Sequence, residues 1–284
     1  MRYQLVSTAL APPRCVFAVF TALLLFTRGA AAQTDYYNTD AGRPITIEDA
    51  YAIEYRAIEL QLAPLRLERG EGAAYRWGLE PELALGLFPR TQVELAFPIA
   101  WIDRGAGGNA STAGLAGIEL SVLHNLNVET SIPAFALAAD LIVPAGSLAP
   151  ERAYPSLKGI ATKTFTWARI HLNARYTFGD RAEPATAVDE AHADGELSRW
   201  LAGIALDRTL PLRSLLFTGE VVAREPLAVD DRLQWSTAAG VRYQLSPRVA
   251  TDAGAGYRLS GGDKGWFLTF GAAFSVGMPW GIDR

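Results

Sequence analysis

The chain has 284 residues, half of them hydrophobic, and a formal charge of −4. Beyond the N-terminus no apolar stretch reaches the length of a transmembrane helix, which excludes a helical membrane bundle and leaves one large domain. A mildly acidic chain whose only lysines are Lys158, Lys163 and Lys264 is a poor nucleic-acid binder.

Residues 1–32 read as a secretory signal peptide. Arg2 and Arg14 supply the positive charge, residues 15–26 form an apolar run, and Ala30, Ala31 and Ala32 offer a cleavage site before Gln33. Cys15 lies inside this segment behind Pro12, Pro13 and Arg14, which are not the apolar residues expected ahead of a lipidated cysteine. The mature chain therefore has no thiol. That excludes disulfides, thiolate metal sites and cysteine nucleophiles, and it suits passage through an oxidising periplasm. Cleavage removes Arg2, Arg14 and Arg28 and no acid, so the charge of −4 less three positive charges becomes −7.

Residues 33–54 form a periplasmic N-terminal segment. Within it Thr46 has the character of a helix N-cap, with Glu48 and Asp49 in the first turn. Two placements stay open for this segment, a plug in a lumen and a free terminus.

From residue 55 to 284 the chain repeats segments of about ten residues that alternate apolar with polar or small, each followed by a turn. In order they are 58–67, 75–88, 91–101, 115–124, 134–143, 158–165, 168–178, 200–207, 215–224, 234–245, 249–259 and 266–276, twelve in all. In the seventh, Ile170, Leu172, Ala174 and Tyr176 alternate with Arg169, His171, Asn173 and Arg175. A helix would scatter those polar groups around its circumference, whereas a strand puts them on one side. The expected fold is all-β: a transmembrane, antiparallel, up-and-down β-barrel of about 12 strands.

Loop lengths add a second signal. Starting from a periplasmic N-terminus, the connections at 103–114, 144–157, 179–199 and 225–232 fall outside the cell and are long. Those at 89–90, 166–167, 209–213 and 246–247 fall inside and are short, as outer-membrane barrels require. Tyr75, Trp77, Trp101, Tyr176, Phe178, Trp200, Trp235, Tyr257 and Trp266 lie near the outer ends. Tyr55, Phe88, Trp167, Tyr243 and Phe274 lie near the inner ends, making two aromatic girdles. A soluble β-sandwich would explain the aromatics as core but not the alternating loop lengths.

Parity then names the inward side chains. Candidates lining the lumen, and forming its constriction, are Glu80, Glu82, Glu94, Glu119, Arg169, His171, Arg175, Glu220, Arg224, Arg242, Asp252 and Arg258. Acids on strands two to four face Arg169 and Arg175 across the ring. Parity also pairs Arg242 with Asp252 next to a three-residue turn that makes Leu245 and Val249 partners.

Catalytic signals are weak. His171 shares a face with Arg169, Asn173 and Arg175 and is read first as a lumen-lining residue. A lipid hydrolase would need a neighbouring serine and a nucleophile close to lipid. His124 lies at a strand end, and His192 sits beside Asp189, Glu190 and Asp194 in a solvated loop. Gly105 to Gly108 lacks a phosphate-binding lysine and reads as an outer loop. No metal or cofactor is expected.

Two stretches carry a family resemblance: Arg43-Pro44-Ile45-Thr46-Ile47-Glu48-Asp49-Ala50-Tyr51, and Pro144-Ala145-Gly146 followed by Pro155-Ser156-Leu157-Lys158-Gly159. They resemble the outer-membrane transporter family labelled for the MetA pathway of phenol degradation. The resemblance implies a β-barrel that passes small, often hydrophobic or aromatic compounds. The C-terminus departs from the usual terminal aromatic, ending Met278-Pro279-Trp280-Gly281-Ile282-Asp283-Arg284, so Phe274 or Trp280 has to serve the outer-membrane assembly machinery.

The leading expectation is an outer-membrane barrel for passive transport of a small solute, with membrane lipid as its other partner. A closed structural or adhesion barrel binding through its outer loops comes second, and an outer-membrane lipid hydrolase third.

Overall fold

Alternation in steps of two gives each segment one polar and one apolar face, and such segments can bury their backbone amides in lipid only by pairing into a closed sheet. The computed structural model describes residues 39–69, 75–103, 111–180, 197–227, 233–260 and 264–277. Its strands are β1 (Ala57–Arg69), β2 (Tyr75–Phe88), β3 (Thr91–Ala96), β4 (Ile99–Asp103), β5 (Thr112–Leu115), β6 (Ile118–Asn125) and β7 (Ala134–Val143). They continue with β8 (Tyr154–Thr164), β9 (Arg169–Thr177), β10 (Ser198–Thr209), β11 (Leu215–Pro226), β12 (Gln234–Ser246), β13 (Val249–Arg258) and β14 (Gly265–Gly277).

Pairing is antiparallel and follows sequence order except that β2 carries both β3 and β4 and β6 pairs with β3; β1 bonds both β14 and β2, closing the sheet into a barrel. The fourteen strands make twelve staves, because two staves expected to be continuous are interrupted. β3 and β4 lie on β2 in one unbroken register, with Glu82 opposite Ala96 and Leu79 opposite Ile99. The break falls at Phe97-Pro98, where proline has no amide for the ladder, and Phe97 instead donates to the Pro81 carbonyl at 3.0 Å. β5 and β6 are parted at Ala116-Gly117, where Gly117 takes a φ of +138° that a residue with a Cβ rarely adopts. The inward parity changes there, from Thr112 and Gly114 to Glu119, Leu123 and Asn125.

A bulge does the same on β1. Ala57, Glu59 and Gln61 are buried before it, Arg66 and Glu68 after it, and the register shifts between Gln61 and Leu65 on both neighbours. Constant parity along this segment therefore fails.

The C-terminal hairpin places Arg242 directly opposite Asp252. Its turn is shorter than expected. Gln244 pairs with Ala250 and Ser246 with Val249, so Leu245 sits in a bulge above the two-residue turn Pro247-Arg248 rather than opposite Val249. The bulge, in place of a longer loop, keeps the inward residues in phase.

Outward side chains form an apolar exterior. Leu137, Leu157, Leu172, Phe217 and Phe270 are each 46–56% exposed, an arrangement costly in water and favourable in hydrocarbon. Tyr75, Trp77, Trp101, Tyr176, Trp235 and Tyr257 are exposed at one end of the barrel, and Tyr55, Phe88, Trp167 and Tyr243 at the other. The glycine-rich 105–108, most of 179–199, His192 and Trp280 lie outside the described residues.

Candidate functional site in the barrel lumen

Residues 39–54 run inside the barrel. No helix forms at Thr46; the segment is irregular, and irregular backbone inside a barrel needs partners from the wall. Glu220 Oε2 accepts the Thr46 and Ile47 amides at 2.8 and 2.9 Å. Asn173 brackets Glu48, accepting its amide at 3.1 Å and donating to its carbonyl at 2.8 Å. Thr162 accepts the Ala50 amide at 3.0 Å, Asn125 donates to the Ala50 carbonyl at 2.7 Å, and Gln92 accepts the Ile53 amide at 2.8 Å. Thr269 donates to the Pro44 carbonyl at 2.9 Å.

The wall is shaped for this segment. A Cβ on Gly240 would stand 2.7 Å from the Pro44 ring, and one on Gly254 would stand 2.5 Å from the Pro44 carbonyl oxygen. Apolar contacts seat the rest: Ile45 and Ile47 pack with Leu201, Val222 and Phe267, and Ala50 with Leu123, Ala136 and Ile160.

Ion pairs anchor the segment's charges. Arg43, only 1% exposed, donates through Nε to Asp252 Oδ2 at 3.1 Å and through Nη1 to Gln61 at 2.7 Å. Arg242 reaches Asp40 at 2.8 Å as well as Asp252 at 3.8 Å. Lys158 pairs with Glu48.

The inward candidates fall into separate groups. Arg169 is held by Asp207, with Nη2 to Oδ2 at 2.6 Å and Nε to Oδ1 at 2.9 Å, and lies 3.6 Å from Asp49. His171 is fully buried between the Thr162 hydroxyl at 2.9 Å and Asp207 at 3.0 Å. Its neighbour is thus a threonine whose oxygen already accepts the Ala50 amide. Arg258 pairs with Glu68 at 2.5 Å, Arg224 donates to Gln234 at 2.9 Å, and Arg175 stands opposite Lys158 in the ladder. His124 lies on the other face, with Nδ1 2.8 Å from the Thr91 hydroxyl.

Glu80, Glu82, Glu94 and Glu119 do come together. With Asp140, Lys158 and Ala41 of the segment they line a small cavity of about 40 Å³ between segment and wall. Among the described residues no group of histidines, cysteines and acids has the arrangement of a metal site.

At the rim the segment is clasped to the turn before β7. Tyr51 donates to Glu129 at 3.3 Å, and Glu129 also accepts from the Thr164 amide and hydroxyl at 2.8 Å each and pairs with Lys163 at 3.1 Å. Burial alone would push the Glu129 carboxyl up, but the Thr164 and Lys163 contacts outweigh it and hold the group below the ordinary carboxylate range. Partial burial, helped by the Glu129 charge, pushes the Tyr51 phenol up to about 12.

Twelve staves, an apolar exterior and a polar interior can be set beside known proteins. No family model matches the chain, and no curated protein matches it. A crystal structure of an outer-membrane channel from Pseudomonas putida F1 superposes with a TM-score of 0.54 at 12% identity, covering 84% of this chain and 100% of that one. The fold is that of an outer-membrane β-barrel. The NanC porin (TM-score 0.49, 9% identity, 76% of this chain and 98% of that one) is less similar. The translocator domain of the autotransporter NalP from Neisseria meningitidis (0.49, 11%, 77% and 87%) is equally distant, and neither carries weight here.

Several residues that organise the lumen were absent from the sequence-derived set: Gln61, Gln92, Asn125, Asp140, Lys158, Thr162 and Asp207. Parity marks all but Asn125, which lies past the end of its predicted segment, as inward, but their importance comes from the segment they hold, which parity does not reveal.

Proposed function

We propose that the chain is an outer-membrane channel for passive passage of a small solute, narrowed by its own N-terminal segment. In this reading residues 1–32 are a signal peptide removed on export, residues 33–54 are an N-terminal segment whose described part, 39–54, lies in the lumen, and the barrel domain runs from 55 to 284, with the N-terminus on the periplasmic side. One observation supports it: a polar cavity of about 40 Å³ lies between the segment and the wall beside Glu80, Glu82, Glu94 and Glu119, a narrow place on a solute path. Asp140 and Lys158 share that wall with the four glutamates, so its lining is polar and holds both acidic and basic groups. The resemblance to the phenol-degradation family makes hydrophobic or aromatic compounds the first class to try. Arg169 contributes little to a field across the lumen, because Asp207 and Asp49 neutralise it locally.

Conductance in a planar lipid bilayer tests the proposal. Small steps from the full-length mature chain are expected. The dense bonding of residues 39–54 favours a second reading, a closed structural or adhesion barrel. A silent full-length protein that conducts only when residues 39–54 are deleted would support that reading and sink the first.

A further inference from the structure

Arg208 is an exposed, outward-facing arginine on a lipid-facing wall. It stands opposite Phe217 in the ladder between β10 and β11, one residue before the end of β10. Leu206 on the same face is 40% exposed, and Leu210 just beyond the strand is 56% exposed. The adjoining turn carries a second exposed arginine, Arg213, and the preceding turn presents Trp167, 51% exposed and stacked on Phe165 at 6.0 Å. The acid nearest in sequence, Asp207, points inward and is consumed by Arg169 and His171. No described acid pairs with either arginine.

A guanidinium on a lipid-facing wall is tolerated only where its stem can run along the apolar surface and its head can reach the phosphate layer. A neighbouring indole marks the depth of that layer. Arg56, Arg90 and Arg248 are also exposed at this end of the barrel.

We propose that Arg208 and Arg213, beside Trp167, form a binding site for the phosphodiester of an anionic glycerophospholipid in the periplasmic leaflet. Two positive charges without a carboxylate partner favour a lipid of net negative charge over a zwitterionic one. The lipid's phosphate oxygens accept from both guanidinium groups, and its acyl chains lie over Leu206 and Phe217. The inference rests on the membrane placement proposed above and not on conduction.

The test is native mass spectrometry of the folded, full-length mature barrel released from mixed phosphatidylglycerol and phosphatidylethanolamine, with lipid A as a third competitor. Phosphatidylglycerol should be retained preferentially. The double variant R208S/R213S should lower that preference by about fivefold for each arginine removed, and R208K/R213K should keep most of it. Folding of each variant is read independently from its heat-dependent gel mobility. An inserted wild-type barrel without phosphatidylglycerol preference, or a folded R208S/R213S barrel that keeps it, overturns the lipid site alone. Preference for lipid A would overturn the assignment to the periplasmic leaflet. A chain that folds but never enters bilayers would overturn this inference together with the membrane reading.

Discussion

Arg43 and Asp252, 209 residues apart in the chain, meet at 3.1 Å inside the barrel, and the Asp252 side chain is wholly enclosed between Arg43 and Arg242. Removing one partner of a buried pair leaves the other charge uncompensated, at a cost of about 3–5 kcal/mol. Asp252→Ala removes one carboxylate shared by Arg43 and Arg242 and leaves Asp40 to serve both. Its unfolding midpoint in urea, followed by heat-dependent gel mobility, should drop clearly below that of the wild type; an unchanged midpoint would mean that water already screens the cluster.

Gly254 lies against Pro44 so closely that any side chain must move one of them. Gly254→Leu should displace the segment while the wall stays closed, because the ladder itself does not need a glycine at this position. The variant should conduct in larger steps than the wild type and become cleavable by protease within residues 39–54. Equal conductance and equal resistance would show that the wall yields instead of the segment.

The alternation of loop lengths sets Glu151, exposed between β7 and β8, outside the cell and Arg248, exposed between β12 and β13, in the periplasm. No cysteine follows Cys15 in the sequence, so single cysteines at these positions stand alone in the barrel. A membrane-impermeant thiol reagent on intact cells should label Glu151→Cys and spare Arg248→Cys. The reverse result would invert the barrel, and with it the leaflet assigned to Arg208.

Glu129 links Tyr51 to Thr164 and Lys163, and its carboxyl titrates below the ordinary range in the folded state. A depressed folded pKa contributes stability that is fully present above the unfolded value, near 4.3, and lost as the pH falls through the folded value. Glu129→Gln should therefore lower the thermal midpoint at neutral pH, and the gap to the wild type should narrow below roughly pH 4. A gap independent of pH would assign the effect to lost packing.

The strand reading of β9 shows why much of the wall was legible. A strand has a period of two, so Arg169, His171, Asn173 and Arg175 declare a common face whatever lies behind them. Loop lengths and aromatic positions carry comparable local information. The reading failed where local backbone geometry overrode the period or shortened a turn: at the β1 bulge, at Gly117 and at Leu245. An added residue flips every side chain beyond it, and composition does not announce that.

Residues 39–54 lay at the opposite extreme. Thr46, Glu48 and Asp49 have the composition of a helix start, yet the amides of Thr46 and Ile47 go to Glu220, more than 170 residues away. The sequence by itself determined the barrel, its twelve staves and, within each uninterrupted stretch, which side chains share a face, because each of these follows from interactions repeated every two residues along one strand. The tertiary structure alone decided that the segment enters the lumen and which charges meet there, because its irregular backbone has no period to read. Its partners, Gln61, Gln92, Thr162, Asn173, Glu220 and Asp252, are brought together only when β1 closes against β14.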